Sequence, residues 1–314
     1  HWRQTPAFKN LILREVPETS TRLALLKTGD VDIIDLDLLS VREALQAGLN
    51  VRNFPNMQVV FMLLFGQIKP DRPEYDATVP WALSDEARAM KVWQALNLAV
   101  DKQTIIDTLL QGYGVPAQSP FFFPGDEGYD PNWPVPAYDP EKAKQLLAEA
   151  GYPDGFTAKM WLTRRVGVPA PELGQAVALY WMDIGVNVDM EMLEWITVRG
   201  IMPSRDVAGI IMPYPLPDVG PMTLLGLFAT SSGRYGWIED DAMDNLMKKA
   251  GAASDPVERE QTLRNIGTTF VEGYNFVPIA YVPTLYGTSE RVGEWQTNMN
   301  TFSPTYFEYV TPAK

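Results

Sequence analysis

The 314-residue chain has no cysteine and a single histidine, His1. The first absence excludes disulfides and thiol nucleophiles, and it leaves the redox compartment open. The second removes Ser-His-Asp and Cys-His nucleophile systems, an ordinary histidine general base and any His/Cys zinc site. Positive charge is scarce. With 26 lysines and arginines against 39 aspartates and glutamates, the net charge is −13, so no field draws the chain to nucleic acid or to an anionic bilayer. No apolar run approaches the roughly 18 to 20 residues that cross a bilayer. The longest, residues 59–65, reads as a buried strand. The phosphate-cradling GxxxxGK, the nucleophile-elbow GxSxG and a strand-associated GxGxxG are also missing, and no cofactor is expected. Trp2-Arg3-Gln4 does not look like a secretory signal, so the expectation is that the chain begins in mid-protein or after processing.

What is present is an ordinary globular composition, 46% hydrophobic and 21% charged, over a length that suggests about two domains. Residues 8–16 read as β-like. Ser20 or Thr21 caps a helix carrying Leu23, Leu25 and Leu26, and Gly29 ends it. Val31, Ile33 and Ile34 read as a short strand and residues 41–47 as a second short helix, an alternation that predicts a sheet with helices packed on it. Ser84 caps a helix whose apolar stripe is Ala89, Val92, Trp93, Leu96 and Val100; the next helix carries Ile105, Ile106, Leu109 and Leu110 and stops at Gly112. Residues 112–138 form a long irregular segment holding Phe121, Phe122 and Phe123.

Asp139-Pro140-Glu141 supplies a cap, a first-turn proline and an acid for the next helix, which Gly151 ends. A strand over 156–163, a helix from Pro171 closed by Gly185 and an alternating strand over 186–190 follow. Asp255-Pro256-Val257-Glu258 opens a last helix, and residues 276–286 and 302–310 read as the final strands.

Several of these pieces resemble the family 5 bacterial extracellular solute-binding proteins, which serve oligopeptide, dipeptide, nickel and some oligosaccharide ABC importers. Leu26-Lys27-Thr28-Gly29-Asp30-Val31-Asp32 is similar to that family's sGevD turn, and residues 95–102, ALNLAVDK, to its AlnyAiDr helix. Gly112-Tyr113-Gly114-Val115-Pro116-Ala117 resembles its glycine-proline loop, and residues 138–152, YDPEKAKQLLAEAGY, carry the most specific likeness. The resemblance implies an α/β fold, the two-lobed periplasmic-binding clamshell of class II type, with the first lobe incomplete in this chain. Residues 1–60 and 282–314 would belong to the first lobe and 61–281 to the second, with residues 59–65 and 276–286 crossing between them as hinge strands. It also implies a function, the substrate-binding component of an ABC importer. Such a protein holds a peptide or other small solute between its lobes, presents it to a membrane permease, catalyses nothing and works as a monomer. Its place would be periplasmic or extracytoplasmic, with a lipid anchor on a segment outside this sequence.

In peptide-binding members a loop after a second-lobe strand carries a W-x-x-D-Y-x-D-P pattern that pairs with the peptide and holds its amino group. The corresponding stretch here, residues 209–221, contains Met212, Tyr214 and Asp218 but also Pro213, Pro215 and Pro217, which remove backbone donors. Asp218 is a candidate for a charge-assisted bond to ligand, or a turn former beside Gly220-Pro221. Tyr214 could stack on ligand or brace the loop. Arg234 could meet a carboxylate and Trp237 line an apolar wall, or they could be a surface arginine and a helix anchor. Phe122, with its two neighbours, could reach the cleft or plug a core edge. A carboxylate-based hydrolase acting on oligosaccharides is the alternative function, since it needs neither histidine nor cysteine.

Overall fold

The computed structural model describes residues 4–164, 168–295 and 307–313. Its strands are β1 (Ile33–Leu36), β2 (Asn50–Leu64), β3 (Val115–Pro116), β4 (Phe156–Leu162), β5 (Val186–Met192), β6 (Ile210–Pro217) and β7 (Val277–Thr288). They form one mixed sheet in the order β1-β7-β2-β6-β4-β5, with β3 added beside β7. The helices are α1 (Thr19–Thr28), α2 (Val41–Gln46), α3 (Glu86–Leu98), α4 (Lys102–Thr108), α5 (Pro140–Glu149), α6 (Ala170–Met182), α7 (Trp195–Ile201), α8 (Pro221–Phe228), α9 (Asp241–Ala252) and α10 (Pro256–Gly273).

The apolar run of β2 is buried on both faces, as its composition predicts. Val60, Met62 and Leu64 enter a cluster with Val92 and Leu96 of α3, Leu146 and Leu147 of α5, and Val177 and Trp181 of α6. Val59, Phe61 and Leu63 point the other way, into a cluster with Leu224 and Phe228 of α8, Leu263 and Ile266 of α10, and the triplet Phe121, Phe122 and Phe123. Period-two alternation thus sorts one strand into two cores.

Local signals place most helix starts. Asp139 accepts the Lys142 N–H at 2.9 Å with Pro140 as the first helical residue, and Asp255 accepts the Val257 N–H at 2.9 Å ahead of α10. At α3 the cap is Asp85 rather than Ser84, because residues 83–85 form a 3-10 turn and carry the helix start one residue on. Residues 8–16 form no strand. Leu11, Ile12 and Leu13 stand 60, 81 and 77% exposed, and their β-like composition finds no ladder partner among the described residues. Of the strand expected over 302–310, residues 302–306 lie outside the described residues and Phe307–Tyr309 is a 3-10 turn.

The two longest strands, β2 and β7, run antiparallel side by side, with register shifts between Phe54 and Gln58 and between Val60 and Phe61. Beyond the first shift, residues 50–54 pair with 284–288, and β1 joins the same end through Ile33↔Thr288 to Leu36↔Leu285.

One buried group is out of place energetically. Lys102, in the first turn of α4, is 4% exposed, its Nζ has no hydrogen-bond partner among the described residues, and burial lowers its pKa to about 7. An unfolded lysine titrates near 10.4, so as pH falls through that interval the unfolded chain takes up the proton first and stability drops; below about 7 both states are charged and the loss is complete. Lys102→Met is expected to raise the melting temperature at neutral pH and to flatten its rise between about pH 7 and 10. Thermal denaturation across that range checks it, and an unchanged pH profile would contradict the burial argument.

Candidate ligand-binding site

The stretch containing the candidate residues is a strand, not a loop after one. β6 pairs antiparallel with β2 from Gln58↔Pro217 to Leu64↔Ile211, despite prolines at 213, 215 and 217. Register explains the tolerance. Phe65 donates its N–H to the Ile210 carbonyl at 2.9 Å, which turns that carbonyl and the backbone groups of Met212, Tyr214 and Leu216 toward β2. The prolines fall on the alternate positions, where their missing N–H groups face away from the ladder. On that far side β4 pairs in parallel only through Lys159↔Ile210 and Met160↔Ile211, and the ladder stops where Pro213 cannot donate.

Asp218 follows directly. It is 3% exposed, accepts the Gly220 N–H at 2.9 Å and has its pKa raised by burial. Asp126, in the turn after the phenylalanine triplet, is half-buried and accepts the Phe123 N–H at 2.9 Å. Burial, and then the nearby charge of Asp218, push Asp126 up to about 7, with the Phe123 N–H opposing. The Asp218 charge thus acts on Asp126 through the fold. Sequence spacing could not reveal this, since ninety-odd residues separate them; the only local trace is the turn signal Pro124-Gly125-Asp126.

Tyr214 is 6% exposed, with its ring centroid 5.0 Å from that of Trp237 and 5.9 Å from that of half-buried Trp195, a neighbour the sequence reading did not single out. Trp237 stacks on Phe228 at 4.0 Å. Trp237, Met212 and Phe122 lie inside the core; Phe122 meets Trp133 edge-on at 5.5 Å, so neighbouring side chains, not a cleft, cover its faces. Arg234 is exposed, with its guanidinium 5.6 Å from the centre of the Tyr235 ring. The structure thus brings Asp218 and Tyr214 onto the β6 segment, sets Asp126 within electrostatic reach of Asp218, and leaves Arg234 on the surface.

A mixed sheet entered twice by long antiparallel strands, with helices on both faces, is the architecture of periplasmic binding proteins. HbpA2 from Haemophilus parasuis is similar with a TM-score of 0.74 and 27% identity, covering 100% of this chain and 60% of that one. The fold is shared by the Helicobacter pylori periplasmic binding protein DppA, solved with the peptide STSA, at a TM-score of 0.74, covering 96% of this chain and 56% of that one, with 22% identity. A family model described as bacterial extracellular solute-binding proteins, family 5 middle, matches residues 1–236, and the chain belongs to that family. Among curated relatives, heme-binding protein A of Haemophilus influenzae is 27% identical over 93% of this chain and 52% of its own length. The dipeptide-binding protein of Escherichia coli is 28% identical over 62% of this chain and 34% of its own. The chain spans at most about half the length of these two curated relatives.

The carboxyl pair makes a stability prediction. Because Asp126 titrates near 7 when folded and near 3.9 when unfolded, the unfolded chain ionises first and the folded state loses stability as pH rises between those values. Asp126→Asn, which still accepts from the Phe123 N–H, should raise the melting temperature near pH 8 and change it little near pH 3.5. A lower melting temperature at pH 8 would show that the Asp126 charge is compensated.

Proposed function

We propose that this chain is the solute-holding part of a substrate-binding protein for an ABC importer, monomeric and extracytoplasmic, delivering a small solute to a membrane permease. Family membership over residues 1–236 carries the reading. The named relatives support it, being a heme-binding, a dipeptide-binding and, at 29 to 31% identity over about half or more of this chain, a glutathione-binding protein. A lipid anchor on a segment preceding this sequence would keep such a protein beside its permease. No observation favours the oligosaccharide hydrolase, and a histidine-ligated heme finds no ligand in residues 2–314, which contain no histidine.

In this reading residues 1–60 and 282–314 belong to one lobe and 61–281 to the other. The paired strands β2 and β7 cross between them, and the register shift between Phe54 and Gln58 gives the pair a place to bend. Solute meets the second lobe at the end of β6, where Asp218 supplies the charged contact, Tyr214 backs it from the aromatic cluster, and Arg234 stands at the exposed rim.

Native mass spectrometry of protein purified from an exporting host tests the proposal. The expected spectrum shows a co-purified small molecule, and Asp218→Asn weakens its retention by about 1.5 to 3 kcal/mol, the usual worth of a hydrogen bond to a charged group. Absence of any adduct together with turnover of oligosaccharides would overturn the reading.

A further inference from the structure

Strand β5 ends the sheet, paired in parallel with β4 and with no other strand among the described residues. Leu193, just past it, donates its N–H to the Leu162 carbonyl at 2.9 Å, so the backbone groups of Asn187, Asp189 and Glu191 face β4. Those of Val188, Met190 and Met192 face outward, where no described strand bonds them. The usual devices that blunt an edge are missing: β5 holds no proline or lysine, and its register runs unbroken from Phe156↔Val186 to Leu162↔Met192. Both faces behind the edge are open as well. Val186 and Val188 point toward the core that α6 covers, and alternation puts Met190 and Met192 on the same side, 47 and 48% exposed. Leu179 and Met182 of α6 are exposed too, and Asn187, Asp189 and Glu191 are exposed on the other face.

That second face carries a hollow of about 160 Å³ lined by Lys159, Trp161, Asp189, Met190 and Glu191. Register sets Lys159 opposite Asp189 and half-buried Trp161 opposite Glu191. None of the three charged side chains has an ion-pair or hydrogen-bond partner among the described residues. A long basic side chain fits the hollow, with its stem along the indole and its head between the two carboxylates.

A strand added to an open edge gains main-chain hydrogen bonds, and its alternate side chains fall on the two faces of the sheet. On β5 one face calls for basic side chains to meet Asp189 and Glu191. The other calls for apolar ones to cover Met190 and Met192, whose flexible side chains adapt to what they touch. We propose that β5 is a docking edge for an extended segment of another protein, in which lysines or arginines alternate with apolar residues. The occupant is a polypeptide segment rather than the transported solute, because an added strand here keeps its outer edge in water and cannot be enclosed. β4 separates this edge from β6, so the inference goes beyond the solute-binding role and does not depend on it.

Calorimetric titration of the 314-residue chain at low ionic strength, with an acetylated and amidated octapeptide of alternating lysine and valine, tests it. That peptide should bind at least about tenfold more tightly than its glutamate–valine counterpart, and it should slow amide exchange in residues 186–193. Met190→Pro removes one outward donor without touching the β4 ladder and should weaken binding at least about tenfold; Asp189→Asn with Glu191→Gln should do the same. Neutralising exposed acids elsewhere, Glu272→Gln with Glu290→Gln, should change it less than about twofold. Should Met190→Pro fail to fold by circular dichroism, a fully N-methylated copy of the peptide takes its place and should not bind. Binding that survives the loss of these main-chain donors, or that falls equally with the Glu272 and Glu290 variants, would mark attraction to overall charge and overturn the docking edge. Equal affinity for the glutamate–valine peptide would overturn the partner's chemistry, and absence of binding by the lysine–valine peptide would overturn the proposal outright.

Discussion

Double pairing of β2 is the interaction on which the rest of the molecule depends. With β7 on one edge and β6 on the other, its amides and carbonyls are satisfied inside the protein, and its side chains can be wholly apolar on both faces. That arrangement separates the helices α3, α5 and α6 from α8, α9 and α10 and gives each group its own core. A polar side chain anywhere from Val59 to Leu64 would have to be buried without water, so the run has little freedom to vary.

The same pairing gives β6 two unlike edges. Its β2-facing edge carries the N–H groups of Met212, Tyr214 and Leu216, while the other has Ile211, paired with β4, and then only prolines. Aromatic packing then fixes the strand from one face, through Tyr214, Trp237 and Phe228, so that the turn holding Asp218 is set on a rigid base. Rigidity matters to a binder, since a contact held ready loses less free energy in ordering when solute arrives. The ion cluster of buried Glu239 with the partly exposed Arg72 and Arg205 acts in the same direction, because Arg205 also donates to the carbonyls of Ser231 and Gly233 and ties down the loop that leads to Trp237.

Much of this was legible in the sequence where the determinant is local. Asp139-Pro140 and Asp255-Pro256 state a cap and a first turn within two residues, and the apolar run at 59–65 states a strand buried on both faces. Family likeness was readable for the same reason, since it rests on short capped helices in a fixed order. β6 was not readable as a strand, because prolines at alternate positions argue against one until the partner's parity is known. The opposite error occurred at residues 8–16, where composition favours a strand but none of the described residues pairs with it. The Phe121 to Phe123 triplet left core and cleft both open, and only tertiary packing puts Phe122 against Trp133. Asp218 acts on Asp126 through the fold, so spacing alone carried no sign of the coupling.

Hydrogen–deuterium exchange with and without the naturally co-purified solute tests the central claim most directly, namely that solute is held where β6 ends. The account predicts added protection in residues 118–126 and 209–220, with the already ladder-bonded amides of Met212 and Tyr214 slow in both states. Protection that appears elsewhere instead, for instance only along β4 and β5, with residues 209–220 unchanged, would contradict it.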